Sequence, residues 1–324
     1  MAGTAVIYHY FEKDPTYRDN LVFFLSRAWR ADHDFFVVLA GPHSVTLPER
    51  ANIHYLATPN FGHDFGGYCT LADTGLLDGH DRLVFVNCTV RGPFLPPYAA
   101  ALPWTAPFLD LLAGEVHLCG ATINILHEDR PAHGRFRASH PEAAAPFSHV
   151  QTSAHAMTGE CFAFLRDSGH FRGGAGLDKA AVISAYEIGM SQRVRAHGWN
   201  IACLLPPYNA IDYRRPHGEI NPATTTGHPQ ARGAYFGLTP HPYELVFVKT
   251  GWGLMNARAL AFHSLMALRH HPAPSGTGLV WSETEALAAR LAETLGPPLA
   301  TLSAPDARMD APLTGTARTG TPRP

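Results

Sequence analysis

The sequence predicts an α/β fold with a mainly parallel central sheet flanked by helices. Two observations carry that expectation. Strand-like and helix-like segments alternate through the first 90 residues, as a sheet built by crossover connections requires. The strand-like segments are also almost continuously apolar, the pattern of strands covered on both faces.

The elements follow in order. "TAVIYHYF" (4–11) is a β-rich opening strand. "DPTYRDNLVFFLSRAWR" (14–30) starts a helix, with Asp14 as N-cap and Pro15 at the first helical position. Its Leu21, Phe24, Leu25 and Ala28 keep helical spacing. "DFFVVLAG" (34–41) and "NIHYLATPN" (52–60) are further strands, "GGYCTLADTGLL" (66–77) a weak helix and "DRLVFVNCTV" (81–90) a fourth buried strand.

Beyond that, "EVHLCGATINIL" (115–126) predicts a strand, and the Pro-, His- and Ala-rich 130–149 a loop. Residues 150–169 predict a strand running into a helix. "LDKAAVISAYEIGMSQRVRAHG" (177–198) is a strong helix ended by Gly198. "WNIACLLPPY" (199–208) is a strand stopped by prolines, "HPYELVFVKTGWG" (241–253) holds a short strand, and 255–271 is a helix.

These segments make one domain over 1–271, followed by a linker at 272–281, an isolated amphipathic helix at 282–296 and a disordered Thr/Pro/Ala-rich C-terminal tail at 297–324.

Of the 324 residues, 46% are hydrophobic and 16% charged, ordinary values for a globular protein. A net charge of −2 supplies no basic footprint for nucleic acid. Cys69, Cys88, Cys119, Cys161 and Cys203 are odd in number, scattered and without a C-x-x-C pair. That spacing argues against a disulfide framework and for a reducing compartment. No secretory signal and no 18-residue apolar run is visible, so a cytoplasmic location is expected, with peripheral attachment to the inner face of a membrane left open.

Four stretches carry chemistry. "TPNFGHDFGGY" lies between a strand and a helix, at the sheet edge where such folds bind ligands. Its Gly62, Gly66 and Gly67 would let a ligand approach the backbone, and Asp64 would accept bonds from ribose or sugar hydroxyls. Equally, Asp64 would only cap the helix while the glycines serve a turn. In "VFVNCTVRGPF", Asn87, Thr89 and Arg91 alternate and would project to one side, with Arg91 suited to a phosphate. Satisfied loop groups and a structural ion pair explain the same residues.

Glu187, between Ile183 and Met190 on a helical stripe, should have a raised pKa fit for a general base. The plainer alternative is a half-buried Glu bonded to backbone or Arg193. Neither His149 with His155, nor His127 with Glu128 and Asp129, has metal-ligand spacing, so no metal site is assigned. His241 stands out because its segment returns late in the chain with Glu244 and Lys249.

In combined order, "PNFGHDFGGY", "VFVNCTVRGPFLPPY", "HVQTS", "YEIGMSQRVRAHGWNIACLLPPY" and "HPYELVFVK" resemble bacterial polysaccharide-assembly glycosyltransferase-like proteins related to the rhamnan synthesis protein F type. More broadly, the chain resembles the GT-A nucleotide-sugar fold over roughly residues 4–255. The resemblance implies transfer of a sugar from a nucleotide-sugar donor to a cell-surface glycan or lipid-linked glycan. It places Asn60, Asp64, Asn87, Thr89, Arg91 and Lys249 at the donor, and His149, Gln151 and His241 at the acceptor. Glu187 becomes the catalytic base.

Two departures stand against that pattern. Asn87 and Thr89 occupy the positions of the family's Asp-x-Asp acids, so at most a weakly held Mg²⁺ or Mn²⁺ is expected. Ile188 also replaces the second acid of a Glu-Asp pair whose first member is Glu187. A non-catalytic glycan- or nucleotide-binding protein of the same fold is the alternative.

Overall fold

The computed structural model describes residues 3–126, 128–173, 176–224, 228–251, 255–271 and 281–297. Its strands are β1 (Thr4–Tyr10), β2 (His33–Ala40), β3 (Ile53–Thr58), β4 (Arg82–Asn87), β5 (Val90–Arg91), β6 (Val116–Gly120), β7 (Ile123–Asn124), β8 (His149–Val150), β9 (Ala154–Thr158), β10 (Asn200–Cys203) and β11 (Val248–Lys249). Seven of them form one sheet in the order β10-β6-β9-β4-β1-β2-β3. All its pairings are parallel except those of β9, which runs antiparallel to both β4 and β6. The expected α/β class with a mainly parallel sheet is what the chain adopts.

The helices follow from local sequence. In α1 (Pro15–Ala28), the Asp14 side chain accepts from the backbone N–H groups of Thr16 and Tyr17, as the capping pattern predicts. The next, α2 (His63–Asp73), begins three residues before the predicted segment, which puts Asp64 inside its first turn. Strand alternation sets the two on opposite faces. Tyr8 of β1 meets Phe24 of α1 at 4.3 Å between ring centroids, whereas its neighbour His9 packs against Tyr68 of α2 at 5.8 Å.

A short α3 (Ala106–Leu109) is followed by α4 (Pro131–Ser139), which occupies a stretch expected to be loop. Only His133 and Phe136 of α4 are buried, one helical turn apart, against Phe147. Two buried positions in nine residues leave too weak a period to stand out from the prolines and alanines around them.

Next come α5 (Gly159–Asp167), α6 (Lys179–Val182) and α7 (Gly189–Ala196). Between α6 and α7, residues Ile183–Ile188 take the wider π winding, and Gly198 ends the run at φ 99°. The final helices are α8 (Pro242–Leu245), α9 (Ala257–Arg269) and α10 (Ser282–Leu295).

The last helix is not isolated. Leu287, Ala288, Leu291, Ala292 and Leu295 of α10 join the main core, and Ser26 and Thr284 share a buried 2.7 Å hydrogen bond. Glu283 and Arg290 pair with Arg18 and Asp19 of α1, and Glu285 pairs with Arg269 of α9. The apolar stripe that made α10 look self-contained is the surface it buries. Nearly all of the expected linker (272–280) and the expected tail from 298 lie outside the described residues. All five cysteines are free and buried, and among the described residues no helix is long and apolar enough to cross a membrane.

Candidate functional site

The chain leaves β1 toward β2 and β3 on one side and returns to β4 on the other. The C-terminal ends of β1 and β4 therefore flank the point where strand order reverses, the usual ligand crevice of open α/β sheets. His9 and Asn87 stand opposite each other there. Because β9 is antiparallel, its lead-in residues Gln151–Ser153 arrive at the same edge, and the Asn87 N–H donates to the Ser153 carbonyl at 3.0 Å.

Asp64 and Asn87 meet at this edge. The Asn87 amide donates from Nδ2 to Asp64 Oδ2 at 2.8 Å. Its Oδ1 accepts from the Thr89 hydroxyl at 2.5 Å and from the Thr89 N–H at 3.1 Å. β4 ends at Asn87 and Cys88–Thr89 form a turn before β5, so Asn87 and Thr89 do not share a strand face with Arg91.

Arg91 leaves the crevice altogether. It lies in β5 with its guanidinium buried, donating to Asn20 Oδ1 of α1 at 2.9 Å and to Ser264 Oγ of α9 at 3.4 Å. Its expected place at a phosphate is corrected to a structural one, because the turn at Cys88–Thr89 breaks the alternation the sequence suggested.

Glu187 comes in on the π turn. Its neighbour Tyr186 stacks on Phe65 of α2 at 5.0 Å, which brings Glu187 toward Asp64. Glu187 Oε2 accepts from the Thr152 hydroxyl at 2.8 Å, and Oε1 lies 3.6 Å from His149 Nε2. His149 Nδ1 is 2.9 Å from the Phe147 carbonyl, so both ring nitrogens face acceptors. The Ser191 hydroxyl of α7 accepts from the Val150 N–H at 3.0 Å, which holds His149 beside Glu187.

Lys249 enters from β11, which pairs antiparallel with β5, and the following Thr250 N–H donates to the Thr89 carbonyl at 3.1 Å. Lys249 is thereby stitched to the turn that bears Asn87 and Thr89.

The two carboxyls are pushed in opposite directions. Burial raises Asp64, and the nearby Glu187 charge raises it further against the Asn87 hydrogen bond. Burial would raise Glu187 as well, but His149, Lys249 and the Thr152 hydroxyl outweigh it and hold Glu187 down at about 2. The expected raised pKa of Glu187 is therefore corrected: apolar neighbours in sequence do not exclude cationic and hydroxyl neighbours in space. Burial lowers Lys249 against the pull of Glu187 and Asp64. Burial and then Lys249 lower His228 to about 3.

The remaining expected site residues have other local roles or lie in the flanking loop. Asn60 is exposed in the loop ahead of α2. The Gln151 side chain accepts from the Thr122 hydroxyl at 2.5 Å, linking two chain segments. His241 is exposed and caps α8, accepting from the Tyr243 N–H at 3.2 Å while Glu244 completes a capping box.

Gly66 and Gly67 sit where a side chain would clash, and Gly62 takes a left-handed conformation at φ 59° just ahead of α2. A Cβ on Gly66 would lie 1.9 Å from the Phe61 carbonyl oxygen, and one on Gly67 would lie 2.6 Å from the His9 ring.

Several residues at the crevice carried no sequence signal strong enough to single them out. They are His9, Thr152, Ser153, His228 and Gln230. The buried Ser153 Oγ, Gln230 Nε2 and His9 Nε2 have no hydrogen-bond partner. Gln230 uses its other side-chain atom, accepting from the Lys249 N–H at 3.2 Å. Thr152 and Ser153 stood within "HVQTS", but their roles depend on the reversed direction of β9.

A divalent ion finds the carboxyls of this crevice already engaged, Asp64 by the Asn87 amide and Glu187 by Thr152 and His149. Mg²⁺ and Mn²⁺ favour hard oxygen ligands with carboxylates among them. Here the Asn87 oxygen already accepts two hydrogen bonds and its amide nitrogen is a donor, while Lys249 brings a positive charge. Among the described residues, no group of three or more His, Cys, Asp and Glu side chains could hold a metal ion.

No protein-family model matches the sequence, and no curated protein does. Solved structures give distant matches. A mannosyltransferase from Pyrobaculum calidifontis, determined with GDP-Man and Mn²⁺, is 12% identical, with 93% of this chain and 82% of that chain covered and a TM-score of 0.34. The galactosyltransferase LgtC, with donor and acceptor sugar analogs, is 11% identical, covering 93% and 100% at a TM-score of 0.38. A glycosyltransferase involved in glycosylation of the major capsid of PBCV-1 is 12% identical, covering 82% and 98% at 0.38.

Proposed function

We propose that this protein is a glycosyltransferase that moves a sugar from a nucleotide-sugar donor to a hydroxyl of a glycan or lipid-linked glycan, in assembly of a cell-surface polysaccharide. The single observation that carries the reading is the carboxyl pair at the sheet's reversal point. Asp64 is raised and Glu187 is held ionised within one crevice, and such divergence marks a division of chemical labour. The buried, partnerless donors beside the pair support a polar ligand there. The cell-surface acceptor rests on the sequence resemblance.

In this reading the donor lies over Asp64, Asn87 and Thr89, with Asn60 at the rim. The bond between the anomeric carbon and phosphate oxygen breaks, and its electron pair leaves with the diphosphate. The acceptor oxygen bonds to the anomeric carbon, and its proton passes to Glu187. A carboxylate of such low pKa is a weak base. It takes the proton late, once the new bond has made the hydroxyl strongly acidic. His149 and Thr152 position Glu187 for that step.

The test is a thermal-shift screen of UDP-, GDP-, dTDP- and CMP-sugars, followed by turnover of the one that binds. Glu187→Gln should keep the shift and lose turnover. Silence across the panel from folded protein would overturn the proposal. The mutual bonding of Asn87 and Thr89 favours a second reading, a non-catalytic nucleotide- or glycan-binding protein. That reading predicts the shift with no turnover to lose.

A further inference from the structure

The cationic side of the crevice deepens the transferase reading and rests on it. A diphosphate leaving group needs positive charge close by. Arg91 and a metal ion held at the end of β4 are the other possible sources, and neither serves. Arg91 is buried between α1 and α9, and the Asn87–Thr89 turn spends its oxygen on internal hydrogen bonds.

Lys249 is different. Its strand pairs with β5 next to that turn, its neighbour Thr250 bonds the Thr89 carbonyl, and its own N–H is held by Gln230. The ammonium interacts with both Glu187 and Asp64.

We propose that the Lys249 ammonium, and no divalent ion, is the resident cation of this crevice, and that it holds the diphosphate of the donor. A compact ammonium with three donors suits phosphate oxygens as a point charge. The same charge repels an incoming dication, and the Asn87 amide offers it no free oxygen.

The experiment uses two probes that involve neither sugar nor turnover. Mn²⁺ is titrated into the full chain and followed by loss of the free-ion paramagnetic resonance signal. Wild type should bind no stoichiometric Mn²⁺ up to ~1 mM, while the triple variant Asn87→Asp, Thr89→Asp, Lys249→Met should gain a site at least ~10-fold tighter. Wild type binding one Mn²⁺ as tightly as the triple variant overturns the proposal.

Pyrophosphate is then titrated calorimetrically in EDTA. Wild type should bind, Lys249→Met should weaken binding by ~10-fold or more, and Lys249→Arg should retain most of it. Loss of binding on adding EDTA, no binding to wild type, or equal binding to Lys249→Met overturns it. Lys249→Arg keeps the test decisive if the methionine variant is poorly folded. Since no sugar nucleotide is used, failure of the transferase reading leaves both probes interpretable.

Discussion

The two ends of the central sheet both collect polar residues, and they treat them in opposite ways. At the N-terminal ends of β4 and β6 lies a groove of about 620 Å³ lined by His80, Arg82, His117 and Glu160 among others. Its polar groups are paired at the surface. His117 bonds Thr158 at 3.0 Å, lies 3.7 Å from Glu160 and stacks on Trp199, while His80 meets Asp34 at 3.1 Å. At the opposite end, the polar groups are sunk into the crevice, two carboxyls are driven apart in pKa, and buried donors stand without partners. The difference lies in chemistry: the groove pairs its ionisable groups at the surface, whereas the crevice sets two carboxyls, a lysine and the partnerless Ser153 and Gln230 side-chain atoms together.

The comparison breaks most readily at Glu187. Glu187→Gln should lower turnover by about 100-fold or more, whereas His117→Ala at the other end should leave it within about twofold. An equal loss from both, measured on the donor that the screen identifies, would remove the distinction between the ends.

The acid limb of stability offers a smaller effect. Glu187 is depressed from 4.5 to about 2 in the folded chain. Its contribution, on the order of 3 kcal/mol, is present above its unfolded pKa and is lost as pH falls through 4.5 toward 2. Wild type should therefore lose more thermal stability than Glu187→Gln between pH 5 and pH 2. Parallel curves would show that His149 and Lys249 do not hold the charge. Gly67→Ala, which forces a Cβ against His9 and Val38, should cost about 1–3 kcal/mol in denaturant unfolding.

The same contrast explains what the sequence made legible. β1 to β4, α1 with its Asp14 cap and the strong 177–198 helix announce themselves through apolar runs and capping chemistry, which are local. Asp64 and Asn87 could be named because each ends an element at the ligand-binding edge. The direction of β9, the turn that sends Arg91 inward and the π winding beneath Glu187 are set by tertiary packing, and no local period encodes them. The depressed pKa of Glu187 is illegible in the sequence for the same reason. Its sequence neighbours Ile183 and Met190 are apolar, but the groups that govern it come from residues 149, 152 and 249. The fate of α10 was hidden likewise, since a helix stripe shows that something is buried and not where.

The smallest stability effect sharpens the comparison most. Ser153 Oγ is buried beside Asn87 with no partner, so in the free protein its hydroxyl carries a desolvation cost without a matching bond. Ser153→Ala should therefore leave thermal stability unchanged or raise it by up to about 1 kcal/mol. The same change should weaken nucleotide-sugar binding by about 5- to 10-fold if the hydroxyl awaits the ligand. At the other end, Thr158 bonds His117 and also caps α5 through the Cys161 N–H, so Thr158→Ala should destabilise by about 1 kcal/mol and leave binding alone. Opposite signs in stability and binding at the two positions are the signature of a site at one end and a satisfied surface at the other. A destabilised Ser153→Ala with unaltered binding would mean that the hydroxyl has a structural partner and that the crevice is as self-satisfied as the groove.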